Sequence, residues 1–165
     1  AQAGEKDRVL AAAQAEQNPE LRAEAVRQLG QMGANDELWQ MYQKDTSVDV
    51  RRQILSAMQV SGNTTRMVEI ARTEKDPDLR RLAVRNLGVM GGKAAADTLI
   101  EIYANEKDPA IRRTVINSLF TSDNATALVA LARKEQDMAM KTEIVRRLSN
   151  MDNKEAQAYM LELLK

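Results

Sequence analysis

Cysteine and histidine are both absent from the 165 residues. Without Cys there are no disulfides and no thiolate metal sites, and cytoplasm and periplasm are both compatible with the chain. Without His the chain lacks the commonest general base, the commonest metal ligand and the usual pH switch. Aromatics are confined to Trp39, Tyr42, Tyr103, Phe120 and Tyr159, too few rings for a sheet-rich core. Neither sign of charge is in excess: Lys plus Arg and Asp plus Glu both number 24, so no global field draws the chain to nucleic acid or an anionic membrane. No apolar run approaches the roughly 20 residues of a membrane span. The opening AQAGEKDR has no apolar signal core, and a cleaved signal would leave no trace.

What is present is a helix-forming composition, rich in Ala, Leu, Met and Arg, and a repeat. With Pro77 as anchor, equivalent positions are Pro19, Val48, Pro109 and Met138, separated by gaps of 29, 29, 32 and 29 residues. Two residues past each anchor stand Leu21, Val50, Leu79, Ile111 and Met140; seven past, Val26, Leu55, Val84, Ile116 and Val145; ten past, Leu29, Met58, Leu87, Leu119 and Leu148. All are apolar, and their spacing lays them along one side of a 3.6-residue helix.

A second, shorter helix lies between successive anchor helices, as in TTRMVEIART at 64–73. Asn18-Pro19, Asp76-Pro77 and Asp108-Pro109 each set a capping side chain before a Pro whose missing N–H costs nothing at the first helical position. Gly33, Gly62 and Gly91 follow the anchor helices where helices end. Eleven helices are expected, near 5–15, 19–32, 35–44, 48–60, 64–73, 77–90, 93–104, 109–121, 124–133, 138–150 and 153–164. The three-residue excess at Gly91-Gly92-Lys93-Ala94 should lengthen a turn or a helix. The last unit, aligned on the third at an offset of 61, should share that longer form.

One column is charged. An acid stands six residues before the base of every anchor helix: Glu16 and Arg22, Asp45 and Arg51, Glu74 and Arg80, Glu106 and Arg112, Glu135 and Lys141. Stacked units would bring one repeat's acid near its neighbour's base, forming a charge ladder. Repetition in every unit marks these pairs as structural rather than as catalytic dyads.

Paired helices, the acid–base spacing and the run D-P-x-L-R-x-x-A-V-x-x-L-G-x-M-G at 76–91 resemble HEAT repeats, in their short, phycobilisome-lyase-like variety. The likeness covers the chain as five hairpins (5–32, 35–60, 64–90, 93–121, 124–150) and a terminal helix at 153–164, one domain spanning 1–165. The resemblance implies an all-α fold, a right-handed α-α superhelix whose Arg-bearing helices line the concave side, and protein binding more often than chemistry.

On that side, positions four and eight past the anchors hold Arg52, Arg81, Arg113, Arg27, Arg85 and Arg146 and no acid. Four of these Arg have an acid three residues earlier; Arg85 and Arg113 do not. The candidate partner-binding residues are therefore Arg52, Arg81, Leu82, Arg85 and Arg113, suited to a protein or peptide with acidic groups. Trp39 shares its column with Val68, Ile100, Val129 and Leu161 and is expected in the core. Phe120 stands where other units have Gly30, Gln59, Gly88 and Ser149, and either fills a gap or meets a partner. Asn63 and Asn124 match glycosylation acceptors but also begin helices, where Asn caps well. Gly91-Gly92-Lys93 lacks the rest of a phosphate-binding loop. No catalytic, cofactor or metal constellation is legible, so a non-catalytic scaffold or adaptor is the leading expectation. The alternatives are a nucleic-acid-binding domain, which net neutrality opposes, and a structural spacer within a larger protein. The apolar final helix suggests a cap with one open side, a cut through a longer protein, or a self-associating end; the second of these is favoured.

Overall fold

The structure, a computed structural model, describes residues 2–165, in which eleven helices and no strands form. They are α1 (Gln2–Ala15), α2 (Pro19–Gln31), α3 (Asn35–Lys44), α4 (Val48–Val60), α5 (Thr64–Thr73), α6 (Pro77–Met90), α7 (Lys93–Asn105), α8 (Pro109–Thr121), α9 (Ala125–Lys134), α10 (Met138–Ser149) and α11 (Lys154–Leu163). Each start has a chemical cause. The side chains of Asn18, Ser47, Asp76, Asp108 and Asp137 accept backbone N–H groups from the first turns of the five anchor helices α2, α4, α6, α8 and α10. Asn63 and Asn124 do the same for Arg66 and Ala127, so these asparagines cap helices.

The ends are equally local. Gly33, Gly62 and Gly91 adopt φ of 67, 73 and 68°, the left-handed conformation that turns the chain out of a helix. After α8 the same task falls to Asp123, at φ 55°.

The chain forms two compact units, Ala1–Ala83 and Val84–Lys165. In the first, α2 packs on α4 and α1 on α3, so anchor helices make one layer and shorter helices the other. In the second, α8 packs on α10, α7 on α9 and α9 on α11, with the same division of layers. Anchor helices approach closely where side chains vanish. A Cβ on Gly30 would lie 2.8 Å from the Ala57 carbonyl oxygen, and one on Gly88 only 2.7 Å from Ser118 Cα. The buried Ser118 hydroxyl also donates to the Val84 carbonyl at 3.2 Å.

The core is the stripe expected from the repeat, with revisions. Leu29, Met58, Leu87, Leu119 and Leu148 are all buried, as are Val26, Leu55, Val84 and Ile116. Leu21, by contrast, is 57% exposed although Val50, Leu79, Ile111 and Met140 in its column are buried. The position is covered in each anchor helix that follows another one, and α2 is the first. The three-residue excess lengthens a helix, since α7 has 13 residues against 10 in α3, α5 and α9. In the final unit α11 begins at Lys154, 61 residues after the Lys93 start of α7, as the alignment of the last unit on the third expects. Before that helix Met151 is buried, and Asn153 caps it by accepting the Glu155 and Ala156 N–H groups.

Candidate functional site

The acid column is built from the turn outward. In all five units the acid accepts the backbone N–H two residues on: Glu16 from Asn18, Asp45 from Ser47, Glu74 from Asp76, Glu106 from Asp108 and Glu135 from Asp137, at 2.8–3.1 Å. Those donors belong to the N-cap residues of the anchor helices. The shared task of the column is thus to fold the turn, a use the spacing alone did not reveal.

At Glu74 and Glu135 the acid's second oxygen also reaches sideways. Glu74 Oε2 accepts from Arg51 Nη2 at 2.5 Å and from the Tyr42 hydroxyl. Glu135 Oε2 accepts from Arg112 Nη2 at 2.5 Å and from the Tyr103 hydroxyl. In each case the guanidinium lies over the tyrosine ring, 4.4 Å from the Tyr42 centroid and 4.2 Å from that of Tyr103. The carboxylates are well shielded, with 7% and 6% side-chain exposure. Burial, then the bond to Glu74, pushes the Tyr42 hydroxyl pKa well above its ordinary value; burial and Glu135 do the same to Tyr103. Burial also opposes charge on Glu135. The Tyr103 hydroxyl, the Asp137 N–H and the Arg112 guanidinium outweigh it and hold that carboxyl below the usual range. The ladder therefore runs from one unit's base to the next unit's acid, with a tyrosine as third member.

Arg22 and Lys141 behave differently. No ion pair joins Arg22 to Asp45 among the described residues; Arg22 Nε donates to the Glu16 carbonyl at 3.0 Å. Asp45 is a methylene shorter than Glu, and Ala13 stands nine residues before Arg22, where Tyr42 precedes Arg51 and Tyr103 precedes Arg112. Arg80 Nε donates to the Ala71 carbonyl at 3.1 Å. Lys141, half-buried in α10, has no carboxylate within ion-pair distance among the described residues.

Of the candidate binding residues, Arg52, Arg81 and Leu82 belong to the first unit and Arg85 and Arg113 to the second. Arg52 pairs with Asp49 at 3.2 Å and Arg81 with Asp78 at 2.8 Å, both three residues back on the same helix. Leu82 is half-buried. Arg113, expected to be uncompensated, is not: its Nε donates to Glu143 of α10 at 2.8 Å. Glu143 is thereby drawn away from Arg146, its expected partner on the same helix. Arg85 and Arg146 are both exposed and have no carboxylate within ion-pair distance among the described residues.

Trp39 is not a core residue. It is half-exposed on α3, stacked on Tyr42 with centroids 6.1 Å apart, and carries the Arg66 guanidinium 4.6 Å above its ring. In its column only Val129 is buried; Val68 and Ile100 are half-buried and Leu161 is exposed. Phe120, left open by the sequence, meets Arg147 of α10, ring to guanidinium at 5.4 Å. It occupies the Gly30 and Gly88 position, and Arg147 that of Ala57 and Ser118. A close backbone contact is exchanged for a ring–cation pair.

Residues 64–133 match the family of HEAT repeats. That stretch of the chain is made of HEAT-like repeats. The match is to HEAT repeats in general and does not reach the short, phycobilisome-lyase-like variety. It ends two residues before Glu135, whose rung nonetheless repeats that of Glu74 atom for atom. No curated protein matches the chain. As a helical repeat scaffold it presents a ladder absorbed in holding units together and an anchor-helix face on which most arginines are already neutralised. No helix is long and apolar enough to cross a membrane among the described residues.

Proposed function

We propose that this scaffold is a non-catalytic adaptor that docks a protein or peptide bearing carboxylates on its anchor-helix faces, with residues 1–165 acting as one repeat array. The observation that carries the reading is the pairing pattern on that face. Arg27, Arg52, Arg81 and Arg113 each already hold an acid. A partner recruiting one of them must first displace an internal ion pair worth up to about 1 kcal/mol. Arg85 and Arg146 carry no such debt. They occupy one register position on α6 and α10, with Asn117 at the same position on α8 between them, and all three are exposed. Interaxial distances of 8–10 Å make this a row of roughly 20 Å, long enough for a peptide segment. Each guanidinium offers a planar fork to a carboxylate, and the exposed Val89 on α6 supplies apolar area one turn along.

A displayed random-peptide selection tests this without a known partner. Peptides retained by the native chain are expected to be enriched in Asp and Glu. The Arg85→Glu, Arg146→Glu double variant should bind them at least tenfold more weakly in titration calorimetry. Equal retention by the double variant, or no acidic enrichment, overturns the reading.

A further inference from the structure

Between α2 and α4 runs a groove of about 300 Å³, lined by Ala23, Arg27, Gln53, Ser56, Ala57 and Val60. Ala23 and Arg27 share one side of α2, and the other four share one side of α4. The lining is chiefly apolar and small, and Val60 is 67% exposed. Its one charged member, Arg27, is neutralised by Glu24. Gln53 Oε1 is buried there and accepts no hydrogen bond among the described residues. A buried acceptor without a donor is costly, and native chains keep few of them.

The second unit shows what the acceptor lacks. Ninety residues on, at the same register of α8 and α10, Arg113 and Glu143 stand where α2 and α4 have Ala23 and Gln53. There Arg113 Nε donates to Glu143 Oε1 at 2.8 Å, so that an arginine stem bridges the two helices. In the first unit that arginine is reduced to alanine. An aliphatic stem and the N–H at its end are missing together, and both absences fall in one groove. Charge fixes the kind of donor that completes it. Gln53 is neutral where Glu143 is ionised, and Arg27 belongs to the same lining, so an uncharged N–H suits the site better than a second cation.

We propose that the α2–α4 groove seats one aliphatic residue of a docked peptide, its side chain filling the space beside Ala23 and Val60 and its backbone N–H donating to Gln53 Oε1. The proposal deepens the adaptor reading and rests on the scaffold taking a peptide, but it uses neither Arg85 nor Arg146. The partner so described carries, besides carboxylates, a leucine-like anchor.

The test uses peptides retained by the native chain in the displayed selection, with binding measured by titration calorimetry. They should be enriched in Leu, Ile, Val or Met as well as in acids. Ala23→Arg introduces the residue found at this position in Arg52, Arg81 and Arg113, fills the groove and supplies the donor. It should weaken binding about tenfold while raising the urea midpoint. Gln53→Met keeps the bulk and removes the orphan acceptor, so it should also raise the urea midpoint while weakening binding about fivefold. A purely structural residue would not move stability and affinity in opposite directions. N-methylation of the peptide's aliphatic residue should weaken binding to the native chain and leave binding to Gln53→Met unchanged. Native-strength binding by Ala23→Arg overturns the groove. If the Arg85→Glu, Arg146→Glu double variant loses affinity in the same series, the acidic-peptide reading stands without it. Loss at Ala23→Arg with none at the double variant keeps the groove and removes the arginine row, and a selection that retains no peptide overturns both.

Discussion

The Tyr42–Arg51–Glu74 rung of the first unit and the Tyr103–Arg112–Glu135 rung of the second stand 61 residues apart at every member, and they agree down to which carboxylate oxygen does what. Even the flaw is shared, for Arg51 Nε and Arg112 Nε are both buried with no acceptor. The surroundings differ. Trp39 and Arg66 extend the first rung into a stacked series of rings and guanidinium groups, whereas Ile100 and Ala127 occupy those positions in the second. What persists is the tyrosine as platform and donor, the guanidinium held flat on it, and a glutamate long enough to serve the turn and the neighbour together. The aromatic extension is dispensable to the geometry. The Arg22 and Asp45 positions, with alanine for tyrosine and aspartate for glutamate, show the limit at which the lateral contact fails while the turn survives.

The comparison breaks most sharply when the acids are removed. Glu74→Ala or Glu135→Ala leaves a shielded guanidinium, a tyrosine hydroxyl and a turn N–H without their acceptor, and each should destabilise by about 3–5 kcal/mol. Asp45→Ala forfeits only the Ser47 N–H contact and should cost about 1 kcal/mol. Urea denaturation of the three variants measures the gap. Equal losses would mean that the turn, not the lateral clamp, carries the energy.

Much of this fold was legible because its signals are local and recur. Caps, glycines at helix ends and apolar spacing each act within a turn or two, and the eleven helices fall within a few residues of expectation. The acid column was visible as well, but its meaning was not. The spacing of six suggested a ladder, whereas the use common to all five acids is a bond to the N–H two residues on. Tyr42 and Tyr103 were missed as rung members although the offset of 61 relates them as it relates Arg51 to Arg112. Trp39 was misplaced because hydrophobic neighbours in a column do not tell a buried position from a half-exposed one. Arg113 was misread because pairing was sought only along its own helix, and Glu143 lies thirty residues away on the next. Charge compensation between helices needs a packing register, which a single sequence does not supply.

Acid sharpens the comparison more gently, since it neutralises the clamp without removing it. The folded-state pKa of Glu135 lies below its unfolded value of about 4.3. Its contribution is therefore complete above that value and is lost as pH falls through the depressed folded one. Urea stability of the native chain and of Glu135→Gln, taken from pH 6 downward, should converge as the solution becomes acidic, because the variant has no such proton to bind. A gap that stays constant below pH 4 would remove the ionised clamp from the account.

The smallest effect concerns the turns after α4 and α8, again 61 residues apart. Gly62 and Asp123 both take the left-handed conformation, at φ 73° and 55°. Nothing lies within 4 Å of a Cβ built on Gly62, so space is not what separates glycine from aspartate here; backbone conformation is. A side chain in that region crowds the neighbouring carbonyl, and aspartate tolerates it better than most residues without matching glycine. Asp123→Gly should therefore raise stability by about 0.5 kcal/mol, the relief of strain exceeding the freedom glycine adds to the unfolded chain. Gly62→Asp should lower it by about 1 kcal/mol. Opposite signs in the urea midpoints would establish that the two turns differ only in side chain. A loss in both would mean that the Asp123 carboxylate makes a contribution in the second unit which its turn geometry does not contain.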